Sequence, residues 1–265
     1  MTALDQLFAK VRAENRAALI AYIPAGFPSQ AGCHRVIEAF IAGGVDAIEI
    51  GYPYSDPVMD GPTIQAAAVT SLANGTGAAE VLAALKFASA SVPAVVMTYW
   101  NPIERFGVAE FAKAIATNGG SGVITPDLTI EESAGWIKAT KESSINPIYV
   151  VAPSTKHERL VQVTSKCGGF IYAASLMGVT GARASVSSSA AELVARVRKT
   201  SYLPVAVGLG VSTREQAKGV AAFADGVIVG SAFIKALQDA PSEEAGLLAV
   251  TELARELAKG VREGR

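Results

Sequence analysis

Glu49 and Asp60 share one short stretch, Ala47-Ile48-Glu49-Ile50-Gly51-Tyr52-Pro53-Tyr54-Ser55-Asp56-Pro57-Val58-Met59-Asp60-Gly61-Pro62. An apolar run ends in the first carboxylate. A loop rich in proline and glycine carries the second and opens into a helix. Two carboxylates held near one pocket can divide acid and base work, because burial and neighbours set their proton affinities apart. Asp60 has a second reading, since Asp-Gly-Pro is also a turn and helix-start signature. Asp127, in Pro126-Asp127-Leu128, is a further carboxylate beyond an apolar run, and it either serves the site or caps a helix over 130–140.

Three glycine-bearing loops follow later apolar runs: Gly178-Val179-Thr180-Gly181, Gly208-Leu209-Gly210 and Gly230-Ser231. Glycine lets backbone N–H groups approach an anion, and a helix N-terminus favours its charge. Gly230-Ser231 opens a helix, so its N–H groups and the Ser231 hydroxyl suit a phosphate. Tight turns without a ligand are the alternative.

These residues need a scaffold that brings distant loops together. Short, nearly continuous apolar runs occur at 18–23, 47–50, 94–98, 122–124, 147–151, 170–173, 204–207 and 226–229, as buried parallel strands require. Helical segments alternate with them at 30–42, 108–118, 130–140, 157–165, 188–199 and 213–222. Ser212 and Thr213 precede Glu215 in an N-cap-like arrangement. Two extra helices are expected, one at 3–12 beneath a barrel and one at 243–263, where Leu247, Leu248, Val250, Leu253 and Leu257 recur at helical spacing. Eight strand–helix units in 265 residues predict an α/β fold, a single (β/α)8 TIM barrel spanning 1–265 as one domain. An open doubly wound sheet fits less well, because no G-x-G-x-x-G follows the first strand.

Side chains alternate along a strand. Ile48 and Ile50 suit the helix layer, so Glu49 points into the barrel near its C-terminal rim, where barrel enzymes carry their active sites. A charge there is costly unless paired or used. A structural ion pair with a barrel Lys or Arg is the other reading, but no strand offers such a partner near its end. The loops after strands 7 and 8 of barrels often hold a phosphate. The expected substrate is therefore a small phosphorylated molecule, anchored at those loops and reacting at Glu49.

Bulk composition narrows the rest. The chain is 50% hydrophobic, with 23 basic and 24 acidic residues and a net charge of −1. That charge gives no footprint for nucleic acid or an anionic membrane. No apolar run approaches the ~20 residues that span a bilayer. The N-terminus lacks the pattern of a signal peptide. Cys33, Cys167, His34 and His157 have no metal-ligand spacing, and two thiols suit a reducing compartment, so no metal and a cytoplasmic location are expected.

Several phrases together resemble the tryptophan synthase alpha-subunit family: Pro24-Ala25-Gly26-Phe27-Pro28, the run Ser55–Gln65, Gly178-Val179-Thr180-Gly181-Ala182-Arg183, and the run Ala224–Ala232. The resemblance extends from about Leu4 to the C-terminal helix. It implies retro-aldol cleavage of indole-3-glycerol phosphate to indole and glyceraldehyde 3-phosphate in tryptophan biosynthesis. The residue matching Glu49 moves a proton at indole C3, and the one matching Asp60 holds the indole N–H. Tyr22 falls at the indole wall and Tyr172 near the glycerol phosphate. The phosphate positions fall on Gly181, Gly210, Gly230 and Ser231, and the loop with Thr180 and Gly181 resembles a lid. The family partner is a beta subunit in an αββα heterotetramer. Pyridoxal phosphate belongs to that partner, so no cofactor is expected in this chain. Pro53 and Asp56 match interface positions.

The chain departs from the family pattern at Tyr22, Tyr54 and Leu209, where phenylalanine is usual, at Met59 for alanine, and at Thr129 for proline. A stand-alone indole-releasing lyase would share every catalytic residue. Indole-3-glycerol phosphate synthase chemistry needs a rim lysine, and Tyr22-Ile23-Pro24-Ala25-Gly26 offers none. A non-catalytic barrel would be expected to lose one carboxylate, and both are present.

Overall fold

The apolar runs become strands because each can bury both faces, one against helices and one inside a barrel. In the computed structural model, which describes residues 1–174, 183–208 and 210–265 (backbone only for 183–188), they are β1 (Ala18–Pro24), β2 (Ala47–Gly51), β3 (Ala94–Met97), β4 (Gly122–Thr125), β5 (Asn146–Val151), β6 (Ile171–Ala174), β7 (Val205–Gly208) and β8 (Gly226–Val229). All pair in parallel with their neighbours in sequence, and β8 pairs β1 to close the barrel. Among the described residues twelve helices accompany them: α1 (Ala3–Ala13), α2 (Gln30–Ala42), α3 (Pro62–Ala73), α4 (Ala78–Ser89), α5 (Trp100–Phe106), α6 (Val108–Thr117), α7 (Ala134–Glu142), α8 (His157–Thr164), α9 (Arg183–Arg198), α10 (Arg214–Ala221), α11 (Ser231–Gln238) and α12 (Glu243–Glu263).

Strand parity divides the core in two. Leu19, Ala21, Ile23, Ile48, Ile50, Val96, Val123, Val205, Val207 and Val227 pack against the helices. Ala18, Ile20, Ala47, Val95, Ile124, Ile148, Phe170, Ala206 and Ile228 fill the barrel. Ala47 lies inside and its neighbours Ile48 and Ile50 outside, which fixes Glu49 as an inward residue.

α1 closes the bottom. Its Leu4, Leu7, Phe8 and Val11 join the interior cluster, and the Phe8 ring meets Phe170 at 5.6 Å. Thr2 and Asp5 form a capping box, and the Asn146 amide donates to both side chains at 3.0 Å. This ties α1 to β5. α12 packs across α10, α11 and α2 on the barrel's outside.

Two helix starts differ from the sequence expectation. α7 begins at Ala134 rather than 130, because residues 129–133 close into tight turns, with Glu132 N–H bonded to Thr129 O and Ser133 N–H to Ile130 O. α9 begins at Arg183 rather than 188, so the serine-rich 185–189 stretch is helical despite serine's modest propensity. Thr213 caps α10 by accepting Gln216 N–H, as its spacing foretold. Among the described residues no helix is long and apolar enough to cross a membrane.

Candidate active site

A cavity of about 380 Å³ opens at the C-terminal ends of the strands. Its floor and walls are the inward residues of the top layer: Tyr22 on β1, Glu49 on β2, Met97 on β3, Val150 on β5 and Tyr172 on β6. The β2–α3 loop covers one side with Met59, Asp60 and Gly61, followed by Pro62 of α3. Gly208, Gly210, Gly230 and Ser231 border the other. The fold thus gathers Tyr22, Glu49, Asp60, Tyr172, Gly210, Gly230 and Ser231 around one space. Thr180 and Gly181 lie outside the described residues, as does Leu209.

Glu49 is 1% exposed, and its Oε2 has no hydrogen-bond partner among the described residues. No described cation pairs with it, which removes the structural ion-pair reading for these residues. Burial, and then the charge of Asp60, push its carboxyl up to about 8. Asp60 also rises through burial, while the Tyr99 hydroxyl opposes that rise. Because Glu49 titrates in the field of an already ionised Asp60, the two separate into a proton holder and an anion.

Asp60 does not cap α3. The N-cap is Gly61, extended at φ −72° and ψ 166°, and Pro62 takes the first helical position. Among the described residues no N–H of α3 bonds the Asp60 carboxylate. The loop is instead held from just past β3: the Tyr99 hydroxyl oxygen accepts the Met59 N–H at 3.1 Å. Its own hydroxyl is pushed up to about 12, mainly by burial. Tyr54 packs on the Tyr99 ring at 5.3 Å. Tyr99 escaped the sequence reading, although its place just past the third strand put it at the rim.

Asp127 does cap a helix, but a different one from that expected. Its two carboxylate oxygens accept the N–H of Trp100 at 2.9 and 3.1 Å. Trp100 is the first residue of α5, whose own N-cap, Tyr99, makes no side-chain cap bond. A carboxylate from the neighbouring loop supplies what α5 lacks.

The rim glycines have a steric reason beyond anion approach. A Cβ on Gly230 would sit 2.9 Å from Tyr22 Cδ1, and one on Gly51 would sit 2.4 Å from the Tyr22 hydroxyl. A Cβ on Gly208 would fall 2.6 Å from the Tyr172 hydroxyl. Glycine at these three positions makes room for the two inward tyrosines. Gly230 also begins α11, and its carbonyl accepts the N–H groups of Phe233 and Ile234. The N–H groups of Ser231 and Ala232 have no acceptor within the helix, as at any helix start, and an anion is suited to them.

Residues 8–262 match the family described as Tryptophan synthase alpha chain. The tryptophan synthase alpha chain of Streptomyces avermitilis is 52% identical over 263 residues, covering 98% of this chain and 95% of that one. The alpha chain of Thermobifida fusca is also 52% identical, over 99% of this chain and 98% of its own. Among solved structures, tryptophan synthase from Mycobacterium tuberculosis superposes with a TM-score of 0.91 at 47% identity, each chain being 98% covered. The tryptophan synthase alpha chain of Legionella pneumophila gives 0.88 at 30% identity, with 98% and 97% covered. A match over nearly the whole length, together with the closed barrel, means that this chain belongs to the tryptophan synthase alpha chain family.

Proposed function

We propose that the chain cleaves indole-3-glycerol phosphate to indole and glyceraldehyde 3-phosphate, with Glu49 and Asp60 as the acid/base pair. The observation that carries this reading is Glu49: a buried carboxyl with a free oxygen, raised to about 8, facing a cavity whose far rim suits a phosphate.

At neutral pH Glu49 holds a proton and can give it to indole C3. Positive charge then develops toward the indole nitrogen. Asp60, ionised and half-buried, accepts the N–H hydrogen bond and stabilises that charge. The bond between C3 and the carbinol carbon breaks, and its electron pair restores the ring. The carbinol hydroxyl loses its proton to the Glu49 carboxylate and becomes the aldehyde. Gly210, Gly230 and Ser231 hold the phosphate, Tyr172 borders the glycerol chain and Tyr22 walls the indole. Met97, Val150 and Ile228 line the apolar part of the cavity, which suits a bicyclic aromatic ring.

The β2–α3 loop also faces outward. Val58 is 75% and Met59 40% exposed, and Asp56 on the same loop is exposed as well, whereas Pro53 is buried. Exposed apolar side chains on a catalytic loop favour a partner, and the family resemblance makes it a beta chain that carries the pyridoxal phosphate. Docking there would order the Asp60 loop. The test is indole release from indole-3-glycerol phosphate by the purified chain, with and without a beta chain. Slow release that rises strongly with the partner is expected. Fast release unaffected by it would make the chain a stand-alone lyase, and none in either case would remove the substrate.

A further inference from the structure

The Tyr22 ring spans the cavity wall from one chemical end to the other. Its Cδ1 edge lies over Gly230, where the phosphate is placed, and its hydroxyl lies over Gly51, directly beyond Glu49 on the same inward face of β2. In the sheet Tyr22 is the register partner of Glu49. The residue is 7% exposed and lines the cavity, yet its hydroxyl has no hydrogen-bond partner among the described residues. Burial and the charges of Asp60 and Glu49, in that order, hold the hydroxyl firmly protonated, so it is a donor placed in the field of both carboxylates. Opening onto the cavity, the hydroxyl can complete its hydrogen bonding with a ligand that enters there.

A substrate anchored at Gly230 and Ser231 and reacting at Glu49 must lay its connecting chain along this ring. In indole-3-glycerol phosphate that chain has two polar groups, the glycerol hydroxyls. We infer that the Tyr22 hydroxyl is a specificity-determining group that hydrogen-bonds the substrate's glycerol hydroxyls, in addition to the wall its ring provides. Phenylalanine at this position would supply the wall alone. The inference rests on the substrate reading above.

The Tyr22→Phe variant tests it with two molecules. Indole-3-glycerol phosphate has the hydroxyls; indole-3-propanol phosphate keeps the ring and the phosphate and lacks them. The variant is expected to lose about 2- to 10-fold in kcat/KM for indole-3-glycerol phosphate, the worth of one neutral hydrogen bond. Its inhibition constant for indole-3-propanol phosphate should stay unchanged, which also shows that the cavity is intact. Equal weakening toward both molecules would overturn the inference and leave only a packing role. No change toward either would overturn it as well, with the substrate reading standing. If the unaltered protein neither cleaves the first nor binds the second, the substrate reading itself fails, and the inference with it.

Discussion

Asp127 holds the backbone N–H of Trp100 with both carboxylate oxygens, at 2.9 and 3.1 Å, and so fixes the start of α5 one residue after Tyr99. Tyr99 in turn holds the Met59 N–H, next to Asp60 on the same loop. A carboxylate on the β4–α7 loop thereby sets the position of one on the β2–α3 loop. Asp127→Ala removes the cap, and we expect a stability loss of about 1 kcal/mol with a fall in indole release. Thermal unfolding and turnover check this; unchanged turnover in a destabilised protein would show that α5 does not position Asp60.

Tyr99→Phe keeps the ring on Tyr54 and removes the hydroxyl. Asp60 then loses the hydroxyl that opposes the effect of burial, so its carboxyl should rise further. The acid limb of the pH–rate profile should move to higher pH, and kcat should fall about tenfold, the scale of a hydrogen bond to a charged group. A profile identical to that of the unaltered protein would detach Tyr99 from Asp60.

Glu49→Gln preserves size and removes the proton. Substrate binding should persist while cleavage falls by about 10²–10⁴-fold, the usual worth of general acid–base catalysis. Undiminished turnover would end the assignment. In the unaltered protein, activity should decline as pH rises through about 8, where Glu49 gives up its proton before substrate arrives.

The same carboxyl shapes stability. Its folded value, about 8, lies above the ordinary 4.5, so the native state binds a proton that the unfolded chain releases between them. The contribution is fully present below about pH 4.5 and is lost as pH rises through about 8. Glu49→Gln should therefore flatten this descent and raise stability at neutral pH by roughly 3 kcal/mol. Denaturant unfolding at pH 5 and pH 8 measures it; a Gln variant with the same pH slope would show that Glu49 is ionised in the folded state.

Gly230→Ala places a methyl group 2.9 Å from the Tyr22 ring. The ring must shift, and the cavity narrows between the phosphate end and Glu49. KM should rise with little change in global stability, and Gly230→Asp should raise it more through charge at the phosphate. The control is Gly219→Ala in α10, where a Cβ meets nothing within 4 Å. Equal KM values for the two alanine variants would move the substrate away from Tyr22.

Much of this site was readable in the chain because it depends on short-range rules. Eight apolar runs at barrel spacing defined the strands, and Gly226–Val229 matched to the residue. Alternation along Ala47-Ile48-Glu49-Ile50 was enough to turn Glu49 inward, since bulky neighbours on both sides belong to the helix layer. The position of the loops after the last strands was enough to gather Gly210, Gly230 and Ser231.

Sequence alone determined which residues enter the barrel and at which end, because backbone alternation and strand order are local properties of the chain. Tertiary structure decided what those residues touch. Asp60 read equally as a cap or a catalyst until Gly61 took the cap and Tyr99 took hold of the loop. Asp127 pointed by sequence to the helix that follows it, but turns delay that helix to Ala134 and the carboxylate caps α5 instead. Gly208 and Gly230 read as parts of anion loops, yet they, like Gly51 on β2, also make room for the bulk of Tyr22 and Tyr172. Each of these contacts joins different strands or loops of the barrel, and their distances exist only once the sheet has closed on itself and set the stagger between neighbouring strands.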